Sequence, residues 1–550
     1  MPKNQTQKLK NTSRRIFTRA NRRISLGNAA ALLIFASASG QILGFLRTRL
    51  VNANFSAVGP NSTDAYFAAF KIPDLFFFTL AAGALGVAFI PFLADHLNKG
   101  DKKGVFELSN SLLNLLAIVM AVVGVIIFVF AKPLIQHVVA PNLSPEQLHN
   151  AVTIMRFIAF NPLIFTISAI FTSVQQTFGR FFFYAIAPLF YSSCIIVSAI
   201  IFSIVPPHDG GPHQLGLIGL GVGAFIGSLL QLLISVLGFV GMKYKYKAKI
   251  NWRSNDFKQI LRQLPPRSVD QGIDSINSIV ETNLARRLGE GKLSFYENAY
   301  TLQSAPTLLI GTTISTAAFP RLAERLAQGR QDLFRKEFLQ ILRAMIWIIM
   351  PIAVVSYFLR GYLARLIFAN DAPQIALIFG FFVGAILFRT IYSLISRWFY
   401  AQKDSRTPLY VSIFAIILNI FLAYTLSRPS AYNIAGLAMA QSLVAVAEVF
   451  ILFTIMIFRD RKLINREFWS GIFRILSVTG FAVITAYIML TLYPLNSGDK
   501  GLLLLGAKLF IITLPVFVVY VIMSLVFELD EAKPILRRIK NIILKPIRIQ

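Results

Sequence analysis

Runs of about 20 predominantly apolar residues recur from end to end of this chain, and no other feature limits its fold so strongly. Ser111–Ala131 and Gly501–Phe527 are two of them, each long enough to cross a hydrocarbon layer of roughly 30 Å as a helix. They are too long for barrel strands and lack the alternation of period two that such strands show. Hydrophobic residues make up 55% of the 550, charged residues 14%, and the mean hydropathy is +0.63. That balance excludes a water-soluble fold of this size. A single cysteine, Cys194, in an apolar run leaves no disulfide framework. The histidines (His96, His137, His149, His208, His213) fall in or near expected loops, never paired at ligand spacing within a helix. Metal and thiol chemistry are therefore not expected, and neither is a cofactor.

The apolar runs predict an all-α polytopic membrane protein with about 14 spans, at 28–52, 64–95, 109–131, 151–178, 183–205, 216–242, 256–288, 294–320, 340–359, 374–400, 408–427, 434–457, 471–492 and 501–527. The net charge of +29 is then a question of placement. The N-terminal tail and the connections after even-numbered spans, with the C-terminal tail, hold 39 Lys and Arg, whereas the odd-numbered connections hold 8. This alternation places both termini in the cytoplasm. The basic excess belongs to topology and to anionic membrane lipids, and no nucleic-acid partner is expected. The run from Asn28 is too long for a signal-peptide core and follows a basic tail of more than twenty residues.

The most basic connection, 243–262, divides the spans. The expected organisation is a basic cytoplasmic tail (1–27), an N-terminal half of six helices (28–242), the linker (243–262), and a second six-helix half (263–457). An appended helix pair (458–527) and a basic tail (528–550) follow. Two six-helix halves around a central cavity suit an alternating-access carrier, although no internal sequence repeat is evident.

Polar groups inside spans are costly in lipid and mark function. Here they gather in spans one, two, seven and eight: Gln41, Arg47 and Arg49; Asp64, Lys71 and Asp74; Arg267, Asp270, Gln271, Asp274, Asn277 and Glu281; Asn298, Thr301, Gln303 and Ser304. The spacing 267–270–274–277–281 advances by three or four, which puts those five on one helix face. Lipid cannot accept that stripe, so it faces other helices or water. Each residue singly also admits a structural account. Arg47 and Arg49 can snorkel to the interface, Asp64 can cap a helix, and Asp74, after Pro73, can satisfy backbone at a kink.

Several segments resemble a known family. They are Gly44-Phe45-Leu46-Arg47; Thr63-Asp64-Ala65-Tyr66-Phe67-Ala68-Ala69-Phe70-Lys71-Ile72-Pro73-Asp74-Leu75; Gly83-Ala84; and Ala88-Phe89-Ile90-Pro91. Phe178-Gly179-Arg180 with Ala187-Pro188, Ala317-Ala318-Phe319-Pro320-Arg321-Leu322, and Phe399-Tyr400-Ala401-Gln402-Lys403-Asp404-Ser405-Arg406-Thr407-Pro408 follow in register. Together they resemble the MurJ (MviN) lipid II flippases of the multidrug/oligosaccharidyl-lipid/polysaccharide exporter superfamily, over roughly 28–530. The resemblance implies fourteen helices and a cavity whose arginines hold the pyrophosphate of a lipid-linked disaccharide-pentapeptide. It also implies departures. Gln41 stands where an arginine is usual, Phe76-Phe77-Phe78 replaces helix-two arginines, Thr301 replaces one in helix eight, Thr48 replaces an acid, and Ala82 a glutamate.

The expected activity is transport, not enzymatic catalysis: a flippase carrying a lipid-linked peptidoglycan precursor from inner to outer leaflet of the bacterial inner membrane. The substrate-binding set is Arg47, Asp64, Lys71, Arg267, Asp270, Asp274, Asn277, Glu281 and Thr301. Arginine forks hold diphosphates well, so the lost arginines and added acids leave two rivals open. One is a cation-coupled exporter of drugs or another lipid-linked glycan, using Na+ or H+. The other is a non-transporting scaffold. The oligomeric state is not legible.

Overall fold

The computed structural model describes residues 26–82, 89–204, 215–242, 244–368 and 371–533. Most of both basic tails, the connection 206–213 and the Gly83-Ala84 motif lie outside the described residues. Among those described there is no strand, as the apolar runs predict.

Helix follows each expected span. In the first part of the chain lie α1 (Leu26–Asn54), α2 (Thr63–Phe77), α3 (Ile90–Asn98), α4 (Lys102–Pro133), α5 (Pro145–Ile158), α6 (Asn161–Thr177), α7 (Phe182–Ile204), α8 (Ile218–Leu237) and α9 (Asn255–Arg287). The rest comprises α10 (Lys292–Pro306), α11 (Thr313–Ala327), α12 (Gln331–Phe358), α13 (Arg360–Ile367), α14 (Ala372–Ala401), α15 (Arg406–Leu426), α16 (Ala435–Arg459), α17 (Arg466–Leu492) and α18 (Leu502–Val526). Among the described residues, ten helical stretches are long and apolar enough to cross a membrane. They coincide with expected spans three to six and nine to fourteen, so the count of fourteen is not itself established. Spans two, four and eight depart from single α-helices. Wide turns follow α2 at Phe78–Ala82 and α10 at Thr307–Thr312, and the fourth span breaks between α5 and α6. Pro306 directly precedes its wide turn, as Pro133 precedes another at Leu134–Val139. A proline lacks the N–H that the regular ladder needs, and the backbone re-pairs one residue further on.

The chain forms two compact units, Met1–Ser294 and Phe295–Gln550, the boundary in sequence falling within α10. The linker around 243–262 thus lies within the first unit. It is strapped to α4 there: Asn110 Nδ2 donates to the Lys245 carbonyl at 3.1 Å, and Asn114 Nδ2 to those of Lys247 and Lys249 at 2.9 and 3.2 Å. The core of this unit gathers Leu93, Leu112, Leu116, Met120, Val174 and Phe257. Helices α7 and α8 approach closely at Gly223 and Gly227. A Cβ at Gly223 would stand 2.1 Å from Ser198 Oγ, and one at Gly227 2.9 Å from the Tyr191 carbonyl oxygen, so only glycine permits this packing.

In the second unit Phe334, Phe338, Leu394, Trp398, Leu452 and Met456 form one core cluster. Ile475, Val478, Val516 and Tyr520 form another with Trp347. Trp347 Nε1 donates to Ser524 Oγ at 2.9 Å and Tyr520 donates to the Trp347 carbonyl at 2.9 Å, satisfying polar atoms that burial would otherwise penalise.

Candidate functional site

Helices α2 and α9 run antiparallel, in contact at three levels. Asp64 meets Arg286, Lys71 meets Ser278, and Thr79, in the wide turn after α2, abuts Gly272. Steps of seven and eight residues along α2 and its turn are about two helical turns each, which keeps these groups on one face.

At the first level the Ser62 side chain accepts from the Asp64 N–H, so Ser62 is the cap and the Asp64 carboxylate is free to reach sideways. Its Oδ2 accepts from Arg286 Nη1 at 3.1 Å and from Gly291 N–H at 2.8 Å. Its Oδ1 accepts from Ser294 N–H at 2.8 Å and Ser294 Oγ at 2.6 Å. Arg286 Nη2 donates to Gln147 Oε1 at 2.8 Å and the Asn142 carbonyl at 3.0 Å. Gln147 donates to the Gly59 carbonyl at 2.9 Å and to Glu290, which accepts the Gly59 N–H at 2.7 Å. Asp64 is wholly buried and Arg286 nearly so. This network joins the connections after α1, after α4 and after α9 in one knot.

At the second level Lys71 Nζ donates to Ser278 Oγ at 2.8 Å, half-buried. Arg47 on α1 is also half-buried and makes no hydrogen bond or ion pair among the described residues. Its charge, with that of Asp74, acts on the buried hydroxyls of Tyr66 and Tyr191. Beside Asp74 is a void of about 10 Å3, lined also by Asn161, Pro162 and Tyr191, room for about one water.

The α9 stripe divides by environment. Asn277 and Glu281 are buried, and Asn277 Nδ2 donates to Glu281 Oε1 at 3.0 Å. Asp274 is exposed. The side chains of Arg267, Asp270 and Gln271 lie outside the described residues. Thr301 belongs to the second unit and donates back to the Glu297 carbonyl at 2.9 Å within α10. Of the residues singled out in the sequence, Arg47, Asp64 and Lys71 therefore lie along one side of α2 or next to it. Arg286, Ser278, Gln147 and Glu290 were not singled out. Arg286 falls five residues beyond Glu281, off the stripe's register, where a terminal arginine looks like a simple helix-end cation. Among the described residues no group of three or more His, Cys, Asp or Glu could hold a metal ion.

The fold is that of a helical polytopic membrane protein, and solved structures share it. A solved structure titled "Lipid II flippase MurJ, inward closed conformation" superposes with a TM-score of 0.72 at 20% identity, covering 90% of this chain and 98% of that one. An inward-facing multidrug resistance MATE family transporter of the MOP superfamily superposes at 0.60 and 17% identity, covering 77% and 95%. The family "Lipid II flippase MurJ" matches residues 58–506, and the chain belongs to that family. Relatives include a probable lipid II flippase MurJ of Borreliella burgdorferi, 22% identical over 438 residues, covering 78% of this chain and 83% of the relative. The lipid II flippase MurJ of Burkholderia cenocepacia is 25% identical over 394 residues, covering 69% and 74%. The protein is a multi-pass inner-membrane transporter, not an enzyme.

Proposed function

We propose that this protein moves a lipid-linked peptidoglycan precursor of the lipid II type from the inner to the outer leaflet by alternating access, with both termini in the cytoplasm. The observation that carries the site is the pair of half-buried cations beside α2. Arg47 makes no hydrogen bond or ion pair among the described residues, and Lys71 donates to the Ser278 hydroxyl across to α9. A diphosphate carries about two negative charges and is held best by such groups. Asn277 and Glu281 continue the α9 side of the site, and the sequence spacing that sets Arg267 and Asp270 on the same stripe makes them further candidates. Asp64 serves by locking the connections rather than by touching substrate. Complementation of a flippase-depleted bacterium tests this. The wild-type chain should restore growth, and its failure to do so at normal membrane levels would count against the reading.

A second reading is favoured by Asp274, exposed on α9 with no ion pair among the described residues. An unpaired acid in a polar span suits a coupling cation, Na+ or H+. In that reading the chain exports a drug or another lipid-linked glycan down a cation gradient. Gradient-dependent efflux lost in Asp274→Asn would support it. Anionic inner-leaflet lipids are proposed partners of the basic connections.

A further inference from the structure

The second unit holds a cavity of about 860 Å3 that the proposed transport step does not use. Its walls are α12, α17 and the turn after α18. On α12 the lining positions 335/336, 339/340 and 343/344 recur every three or four residues, and on α17 positions 467, 470/471 and 474 do the same. Each helix therefore turns one face to the cavity.

The floor is built by ion pairing. Arg343 Nε lies 2.7 Å from Glu531 Oε1. Gly471 lets that guanidinium rest on α17, because a Cβ there would stand 2.5 Å from its Nε. Arg335 is matched by Asp460 at 2.6 Å and Asp530 by Lys533 at 2.6 Å. The lining still holds the cations Lys336, Lys462 and Arg474 and the acids Asp332, Glu467 and Glu528. All six of these residues are exposed, and none of their side chains makes a hydrogen bond or ion pair among the described residues.

Two further features fix the class of ligand. Gln340, Gly471 and Glu528 lie where the apolar stretches 340–359, 471–492 and 501–527 begin or end, the depth of lipid headgroups. Beside the lining residues Ser470 and Arg474, α17 turns Trp469, Phe473 and Leu476 outward at 45%, 63% and 49% exposure. That stripe suits acyl chains, with the tryptophan at interface level. A ligand of one charge sign would meet as many unpaired groups of its own sign as of the other. A headgroup carrying both a phosphate and an ammonium satisfies both sets.

We propose that this cavity seats the zwitterionic phosphoethanolamine headgroup of a membrane phospholipid, its phosphate on Arg474, Lys336 and Lys462 and its ammonium on Asp332, Glu467 and Glu528. Assigning it to the cytoplasmic leaflet rests on the topology proposed above; the site itself does not. The test places the full chain in nanodiscs of equal phosphatidylethanolamine and phosphatidylglycerol, extracts it, and counts retained lipid by native mass spectrometry. Phosphatidylethanolamine should be retained at least about fivefold over phosphatidylglycerol, one charge-assisted contact being worth about that much or more. Arg474→Ala should abolish retention and Arg474→Lys should keep most of it. Asp332→Asn with Glu467→Gln should hold both lipids equally. Equal or greater retention of phosphatidylglycerol by the wild type, or full retention by Arg474→Ala, overturns the proposal. So does saturable binding of free phosphoethanolamine without lipid retention, which would assign the site to a soluble ligand. Retention is read without transport and without regard to orientation, so it holds or fails separately from the flippase reading.

Discussion

Asp64 and Arg286, 222 residues apart in sequence, are joined by a contact of 3.1 Å in which neither side chain is open to solvent. Burying two charges is costly, and hydrogen bonds offset part of that cost here, although Arg286 Nε is buried without a partner among the described residues. The recorded bonds give the carboxylate one guanidinium, two backbone N–H groups and a hydroxyl, while the guanidinium gains Gln147 and a carbonyl. Removing one partner strands the other. Arg286→Ala should destabilise the protein by roughly 3–5 kcal/mol, seen as a large fall in thermal midpoint in detergent. Asp64→Asn can keep part of the hydrogen bonding and should fall less. Similar midpoints for Arg286→Ala and the wild type would remove this pair from the fold's supports.

Lys71 and Ser278 give a different expectation. If the lysine's charge serves substrate, Lys71→Met should insert normally yet lose transport by about tenfold or more, the scale of one charged hydrogen bond. Ser278→Ala removes this one hydrogen bond but leaves the charge, and should keep transport within about threefold. Equal losses in both variants would make the contact structural. Initial flipping rates at matched protein levels decide between them.

Much of this fold is legible from residue order alone, because an apolar span must run over a fixed length, and ten spans among the described residues announce themselves in that way. The wide turns after Pro133 and Pro306 were not anticipated, although a proline within a long helix is the signal that could have found them. The knot around Asp64 was half visible. Its acid stood out as a charge in a span, while Arg286 looked like an ordinary helix-end cation, since no local periodicity links positions 64 and 286. The stripe on α9 was visible as a pattern, but not its division into buried Asn277 and Glu281 and exposed Asp274, which depends on what packs against each turn.

The connection between α14 and α15 carries a pH-dependent clamp. Burial of Asp404 pushes its carboxyl up. Hydrogen bonds from Thr407 and Arg459 and the arginine's charge outweigh this and hold it at about 2. Arg459 Nη1 donates to Asp404 Oδ2 at 2.5 Å, and Thr407 Oγ1 donates to the same oxygen at 2.6 Å. A carboxyl depressed on folding contributes stability that is present above its unfolded value of about 3.9 and is lost as pH falls through its folded one. Asp404→Asn should therefore lower the thermal midpoint at neutral pH, and the gap from the wild type should narrow between pH 4 and pH 2. A gap independent of pH over that window would mean the clamp is not ionic.

Arg47 is the guanidinium on which the proposed site leans most. A lysine keeps the charge and can snorkel as well as arginine, but it cannot form a two-pronged contact with phosphate. Arg47→Lys should reach the membrane normally and lose most transport, nearly as much as Arg47→Ala. Full activity of the lysine variant would remove Arg47 from the site while leaving the fold assignment standing.

The most direct measurement is flipping itself. Purified protein in liposomes, supplied with a labelled lipid-linked disaccharide-pentapeptide, should move the label across the bilayer faster than protein-free vesicles do, and the Lys71→Met protein should fall toward that background. Movement no faster than in empty liposomes, with the protein folded and inserted, would contradict the proposed transport.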